Sequence, residues 1–111
     1  IIGPTDTPYF GGIFRLSIKI GKDYPARPPK VRFLNKIFHP NISVSGSICL
    51  DILKDNWSPL QSIRTILLSV SSLLASPNPE DPLEDEHATL YKSDREEFNR
   101  VAQLWTQLYA S

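Results

Sequence analysis

A chain of 111 residues is long enough for one domain around one core, and 41% hydrophobic with 22% charged residues is an ordinary globular balance. Twelve Lys plus Arg against twelve Asp plus Glu argues against a nucleic-acid partner or a basic stripe for anionic membrane, and no apolar run approaches the ~18 residues needed to span a bilayer. One cysteine cannot form an internal disulfide, so a cytoplasmic or nuclear location is expected.

Ile1-Ile2-Gly3-Pro4 reads as the end of a strand entering a turn, which leads to the expectation of an N-terminally incomplete domain. The cluster from Gly3 to Pro8 is a turn, and the bare pair Gly11-Gly12 fits a tight turn better than a phosphate loop. From Gly12 to Ile20 the pattern alternates, with Phe14, Leu16, Ile18 and Ile20 on one face, which predicts a half-buried strand. A Pro-rich loop from Gly21 to Pro29 leads to a second strand over Lys30–Asn35, with Val31 and Phe33 inward and antiparallel pairing to the first. Two strands alone are marginal in water, which strengthens the expectation of missing sheet strands. Residues 36–57 hold no regular period and contain His39, Asn41 and Cys49. Such an irregular stretch in a compact domain is often functional.

Helical signals follow. Ser58, Pro59 and Gln61 suggest an N-cap, a first-turn proline and a capping box, ahead of a stripe through Leu60, Ile63, Ile66, Leu67, Val70, Leu73 and Leu74. Pro77 and Pro79 end it, with Asp81 in the next loop. A short helix is expected around Glu84–Tyr91. The last helix has Ser93 and Glu96 as its box, and buries Phe98, Val101, Ala102, Trp105, Leu108 and Tyr109.

Two His and one Cys without paired spacing do not make a zinc site. A free cysteine between Ile48 and Leu50 is by itself more often a small core residue than a nucleophile. A protease-like pair would need His39 or His87 against the thiol, and no protease-like motif surrounds Cys49.

The wider context changes that balance. Phe38-His39-Pro40-Asn41-Ile42, then Gly46 and Ile48-Cys49-Leu50-Asp51, resembles the active-site signature of ubiquitin-conjugating enzymes, His-Pro-Asn followed by Cys. Gly3-Pro4 with Gly11-Gly12, Tyr24-Pro25 with Pro28-Pro29, Trp57-Ser58-Pro59, the run from Pro77 to Leu83, and the run from Trp105 to Ala110 resemble further motifs of that family, in its order, over residues 1–111. The resemblance implies an α+β, UBC-like domain over 1–111: an antiparallel meander with C-terminal helices, lacking its first helix and two strands.

The resemblance also implies the chemistry. Cys49 would accept ubiquitin as a thioester from the activating enzyme and, with a ubiquitin ligase, pass it to lysine amines. No cofactor is implied, because ATP is used by the activating enzyme. A modest rather than strongly lowered thiol pKa is expected, since no base adjoins Cys49. Asn41 would donate to the oxyanion, or fix the loop as turn asparagines do. Asp81 would orient the lysine and accept its proton, or serve as a turn residue between two prolines. His39 and Pro40 are assigned to loop structure, Leu50 and Asp51 to the groove for ubiquitin's tail, and Leu68 to the face toward bound ubiquitin.

Ligase docking is implied for Pro25 and Ala26 with Ser58, Pro59 and Leu60. Ala26 stands where the family often has a large apolar anchor. Asp51-Ile52-Leu53-Lys54-Asp55 and Ile63-Arg64-Thr65 resemble the branch that pairs with an inactive conjugating-enzyme variant, while Ser17 and Lys19 depart from it. Three rivals stand beside the enzyme reading. One is a ubiquitin-binding variant without catalysis, whose relatives typically lack both the Cys and the His-Pro-Asn run. A second is that the chain without the first helix, which in that family contacts the activating enzyme and ligases, is inactive while its full-length parent works. The third is conjugation of a different ubiquitin-like modifier.

Overall fold

The computed structural model describes residues 1–111. Strand β1 (Leu16–Lys19) pairs antiparallel with β2 (Lys30–Phe33), Leu16 opposite Phe33 and Lys19 opposite Lys30. A short 3-10 turn, Asp51–Leu53, precedes helices α1 (Ile63–Ala75), α2 (Asp85–Ser93) and α3 (Arg95–Tyr109). The class is α+β, as the sequence suggested, and both strands are shorter than expected.

The shortening has identifiable causes. The Arg15 amide donates to the Asn35 side-chain oxygen at 2.6 Å instead of to a strand partner, so the ladder breaks between Ile13, which bridges to Ile2, and Leu16. Asn35 in turn donates to the Tyr109 carbonyl, so it serves as a side-chain clamp between the hairpin and α3 rather than as strand. The alternating face also fades along its length. Phe14 is buried, Leu16 and Ile18 are half-buried, and Ile20 is exposed.

Both helix starts move C-terminally from their expected caps. Ser62, not Ser58, caps α1. Its hydroxyl accepts from the Thr65 amide while the Thr65 hydroxyl accepts from the Ser62 amide. Ser58 closes a separate turn, accepting from Leu60 and Gln61, which leaves Leu60 95% exposed rather than on the buried stripe. At α3 the cap is Asp94, whose carboxylate accepts from Glu97. Ser93 is the last residue of α2. A charged side chain one position on supplies the stronger acceptor for the same orphan amides. On α3, Leu108 and Tyr109 also lie more open than expected, while Phe98, Ala102 and Thr106 are buried.

The core joins Tyr9, Phe14 and Phe33 from the hairpin side to Ile66, Val70 and Leu74 of α1 and Phe98 and Ala102 of α3. Ile37, Phe38, Ile42 and Ile48 of the irregular stretch belong to the same cluster. That stretch is therefore folded into the core, not draped over it. The Tyr9 hydroxyl donates to the Phe38 carbonyl at 2.6 Å, satisfying a backbone acceptor that no regular element serves.

Gly46 fixes where this stretch turns back toward the thiol. Its φ is +102°, a region that disfavours side chains, and its carbonyl accepts from the Phe33 amide. A Cβ there would fall on the Phe33 carbonyl oxygen. Gly46→Ala is expected to lower stability by on the order of 1–3 kcal/mol from backbone conformation alone, and by more from the clash. Chemical denaturation of the variant beside Gly21→Ala, a site with open space around it, checks this.

Candidate active site

Cys49 is held by two loops that meet edge to edge. Its amide donates to the Asn41 carbonyl at 2.9 Å, and Ile48 before it is buried while the thiol side is half-open. From the second loop, Asp81 brings a carboxylate oxygen to 3.4 Å from the Cys49 sulfur, which donates to it. Cys49, Asn41, Leu50, Asp51 and Asp81 line one groove of about 400 Å³ together with Lys54 and Asn78. The groove neighbours a second hollow of about 390 Å³ lined by Leu50, Asp51 and Leu68, and Leu68 is 53% exposed.

The thiol pKa lies above its ordinary value. Partial burial is the main cause, and the Asp81 hydrogen bond and charge add to it, against a smaller lowering by Lys54. Burial penalises the thiolate, and a carboxylate beside it does the same through like charge.

Asn41 joins the loops. Its side-chain NH₂ donates to the Asn78 carbonyl at 2.7 Å and to the Asp81 carbonyl at 2.9 Å, and its side-chain oxygen accepts from the Asn78 amide at 2.8 Å. Both donors face carbonyls and the acceptor faces an N–H, so the orientation of the amide is fixed by its partners. The side chain is buried. The Pro40 carbonyl adds a second tie, accepting from Leu83 and Glu84.

His39 is fully buried beneath this junction. Its Nδ1 accepts from the Asn41 amide at 2.9 Å, which assigns the proton to Nε2, and Nε2 donates to the Leu73 carbonyl at 2.9 Å. Both ring nitrogens are engaged, so His39 is no base for Cys49. Burial lowers its pKa to about 4, against the raising effect of the Leu73 carbonyl. His87 lies on the far side of His39, at 3.4 Å from its carbonyl, with its ring over Phe38.

The two loops implied for ligase docking are also joined, because the Trp57 ring N–H donates to the Pro25 carbonyl at 3.0 Å. Ser58, Pro59 and the exposed Leu60 follow directly. Ser17 and Lys19 lie elsewhere, in a groove beside β2.

Sequence reading named Cys49, Asn41 and Asp81 and missed what holds them. Asn78 takes two of the three hydrogen bonds of the Asn41 side chain, and the Leu73 carbonyl receives His39 through a backbone atom that carries no sequence signal. The Pro77-Asn78-Pro79 frame was the available hint for Asn78, since flanking prolines hold a backbone rigid.

An α+β core with a half-open thiol on converging loops is the setting in which the comparisons with known proteins fall. The family model described as ubiquitin-conjugating enzyme matches residues 1–106, and the chain belongs to that family. The E2 domain of a Toxoplasma gondii ubiquitin-conjugating enzyme is similar to it at 50% identity, with a TM-score of 0.96 over 100% of this chain and 78% of that one. The fold is thus UBC-like.

Two outcomes follow from the titrating groups. The folded state holds His39 neutral down to about pH 4, whereas an unfolded His protonates near ~6.5. Between those values the unfolded chain binds more protons, so stability rises with pH there. The contribution is complete above pH ~6.5 and is lost as pH falls toward ~4, amounting to about 3 kcal/mol. Urea midpoints across pH 4–7 check the slope, and NMR titration of the His39 ring checks its source. For Cys49, the rate of alkylation should rise with pH to a midpoint above the ordinary thiol value, and Asp81→Asn should bring that midpoint part of the way down.

Proposed function

We infer that the protein accepts ubiquitin as a thioester on Cys49 and transfers it to lysine amines of target proteins, with a ubiquitin ligase, in the cytoplasm or nucleus. The observation that carries this reading is the half-open sulfur with a carboxylate 3.4 Å away in a family of ubiquitin-conjugating enzymes. Exchange of one thioester for another is nearly balanced in energy, so the protein need only present a reachable thiol.

The raised thiol pKa has a use in such a carrier. A thiolate of high pKa is a poor leaving group, so the acylated sulfur gives up its cargo slowly to water. Once the sulfur is acylated its S–H is gone, and the Asp81 carboxylate is free to accept a hydrogen bond from an incoming lysine. A free lysine ammonium has a pKa of ~10.4 and must lose a proton before it attacks. With that proton lost to solvent, the amine nitrogen bonds to the carbonyl carbon, Asp81 accepts the second amine proton, the C–S bond breaks, and Cys49 leaves as a thiolate that then takes up a proton.

Of the two readings of Asn41, the geometry favours the positioning role. Both of its N–H donors are already bonded to loop carbonyls, and those bonds hold Asp81 over the sulfur. Leu50 and Asp51 along the adjoining hollows suit an extended ubiquitin tail, and the exposed Leu68 of α1 suits the body of bound ubiquitin. The tied loops at Pro25-Ala26 and Ser58-Pro59 suit the ligase, with Leu60 as the open apolar contact in place of a large side chain at Ala26.

The test is incubation with activating enzyme, ATP and ubiquitin, followed by gels with and without reductant. A reductant-sensitive adduct that vanishes in Cys49→Ala is expected. Asn41→Ala should still charge but discharge to free lysine on the order of 10²-fold more slowly, as a displaced catalytic group does. Absence of any adduct, also from the protein extended by the family's first helix and strands, would overturn the reading, and an adduct formed only with another ubiquitin-like modifier would correct its substrate.

A further inference from the structure

Equal numbers of acidic and basic residues conceal an uneven distribution. Five of the twelve cationic side chains, Lys19, Arg27, Lys30, Arg32 and Lys54, line a single groove of about 630 Å³, and no carboxylate lines it. All five are exposed. The ion pairs of the structure are Lys92–Glu80 and Arg100–Glu97, so none of the five makes a direct ion pair, although Lys54 also shares the Cys49 groove with Asp51, Asp55 and Asp81. Like charges gathered on a concave wall reinforce one another's field and raise the local concentration of an opposite charge.

The fold builds this groove from four segments, of which β1 contributes Ser17 and Lys19. The Pro-rich loop contributes Arg27, Pro28 and Pro29, β2 contributes Lys30 and Arg32, and Ile48, Leu53 and Lys54 close the side next to the thiol. Pro28 and Pro29 fix their own backbone and so pre-set the approach of Arg27 and Lys30. In the strand register Lys19 stands opposite Lys30 and Ser17 opposite Arg32. Like charges directly across a ladder are destabilising, and the sequence retains the Lys19–Lys30 pair without an acidic neighbour in the groove.

The groove adjoins the candidate active site. Lys54 lines both this groove and the one that holds Cys49, Asp51, Asp55 and Asp81, so the two share a wall. An acidic segment on the basic wall would lie next to the site, and the acidic lining around the sulfur suits the lysine rather than the segment itself.

We propose that this groove is a specificity surface that holds an acidic segment of the protein being modified, flanking the lysine that receives the cargo. The proposal rests on the thioester reading of Cys49. An acidic polypeptide is favoured over a nucleic acid because no aromatic side chain lines the groove, whereas single strands are held by stacking on aromatic faces. It is favoured over a folded apolar partner because the three hydrophobic residues on the wall, Val31, Ile48 and Leu53, are each buried or half-buried. Charge complementarity then sets which lysines are reached, through association rate more than through lasting affinity.

Two arms test it. In the first, fluorescence anisotropy measures binding of a labelled Glu-rich peptide to the uncharged protein, with a neutral peptide of the same length and a single-stranded oligonucleotide of matched charge as comparisons. Binding of the acidic peptide should disappear above ~0.5 M salt, where screening is short-ranged, and in the charge-reversed variant Arg27→Glu/Lys30→Glu/Arg32→Glu. In the second, the protein charged on Cys49 is discharged onto a lysine peptide with or without an adjacent Glu run. The acidic peptide should react about tenfold faster at low salt, and the variant should lose or invert that preference while charging and reacting with free lysine as before. Circular dichroism confirms that the variant is folded.

Equal rates for the two peptides, an unchanged preference in the variant, or equal or tighter binding of the oligonucleotide would each overturn the proposal. Failure to charge would sink the thioester reading and with it the acceptor role, while the anisotropy arm would still decide whether the groove takes acidic peptide.

Discussion

The junction of two loops through one buried amide is the constraint on which the site depends. Asn41 makes three side-chain hydrogen bonds, all to the backbone of Asn78 and Asp81, and its main chain receives Cys49. Remove that side chain and the Asn78 N–H and the Asp81 carbonyl lose this partner, each worth roughly 1–3 kcal/mol if left unsatisfied, while the Asn78 carbonyl keeps only the Asp81 amide. The distance between sulfur and carboxylate is thus set by hydrogen bonds between Asn41 and the backbone of the facing loop. His39 underpins the same junction from below, with one ring nitrogen on the Asn41 amide and the other on α1.

Much of the architecture was legible in the sequence, and the failures share a physical reason. The 3–4 spacing of Ile66, Val70 and Leu74 and the alternation up to Ile18 reported buried faces, which depend on side-chain pattern alone. The boundaries went astray where two adjacent polar residues competed for one role: Ser58 against Ser62, and Ser93 against Asp94. Local pattern does not say which of two acceptors meets the orphan amides, because the choice is made by where the preceding turn delivers the chain. Leu60 shows the consequence, since a turn closed by Ser58 carries it off the stripe.

The candidate site was legible through resemblance rather than through pattern. Read alone, Cys49 between two aliphatic residues looks like core, and Ile48 is indeed buried. Cys49, Asn41 and Asp81 come together over sequence separations of 8, 32 and 40 residues, distances at which no periodicity operates. The basic groove is a different kind of omission. Summed charge carries no spatial information, and a net charge of zero is compatible with strong local fields once strands and loops sort the residues by face.

The protonated state of Cys49 reaches beyond group transfer. Peroxide and stray alkylating agents attack thiolates far faster than thiols, and this sulfur is kept as thiol by burial and by a neighbouring carboxylate. A surface sulfur with that disposition is slow to climb the ladder from sulfenic to sulfonic acid. The same surroundings that raise its pKa slow its oxidation.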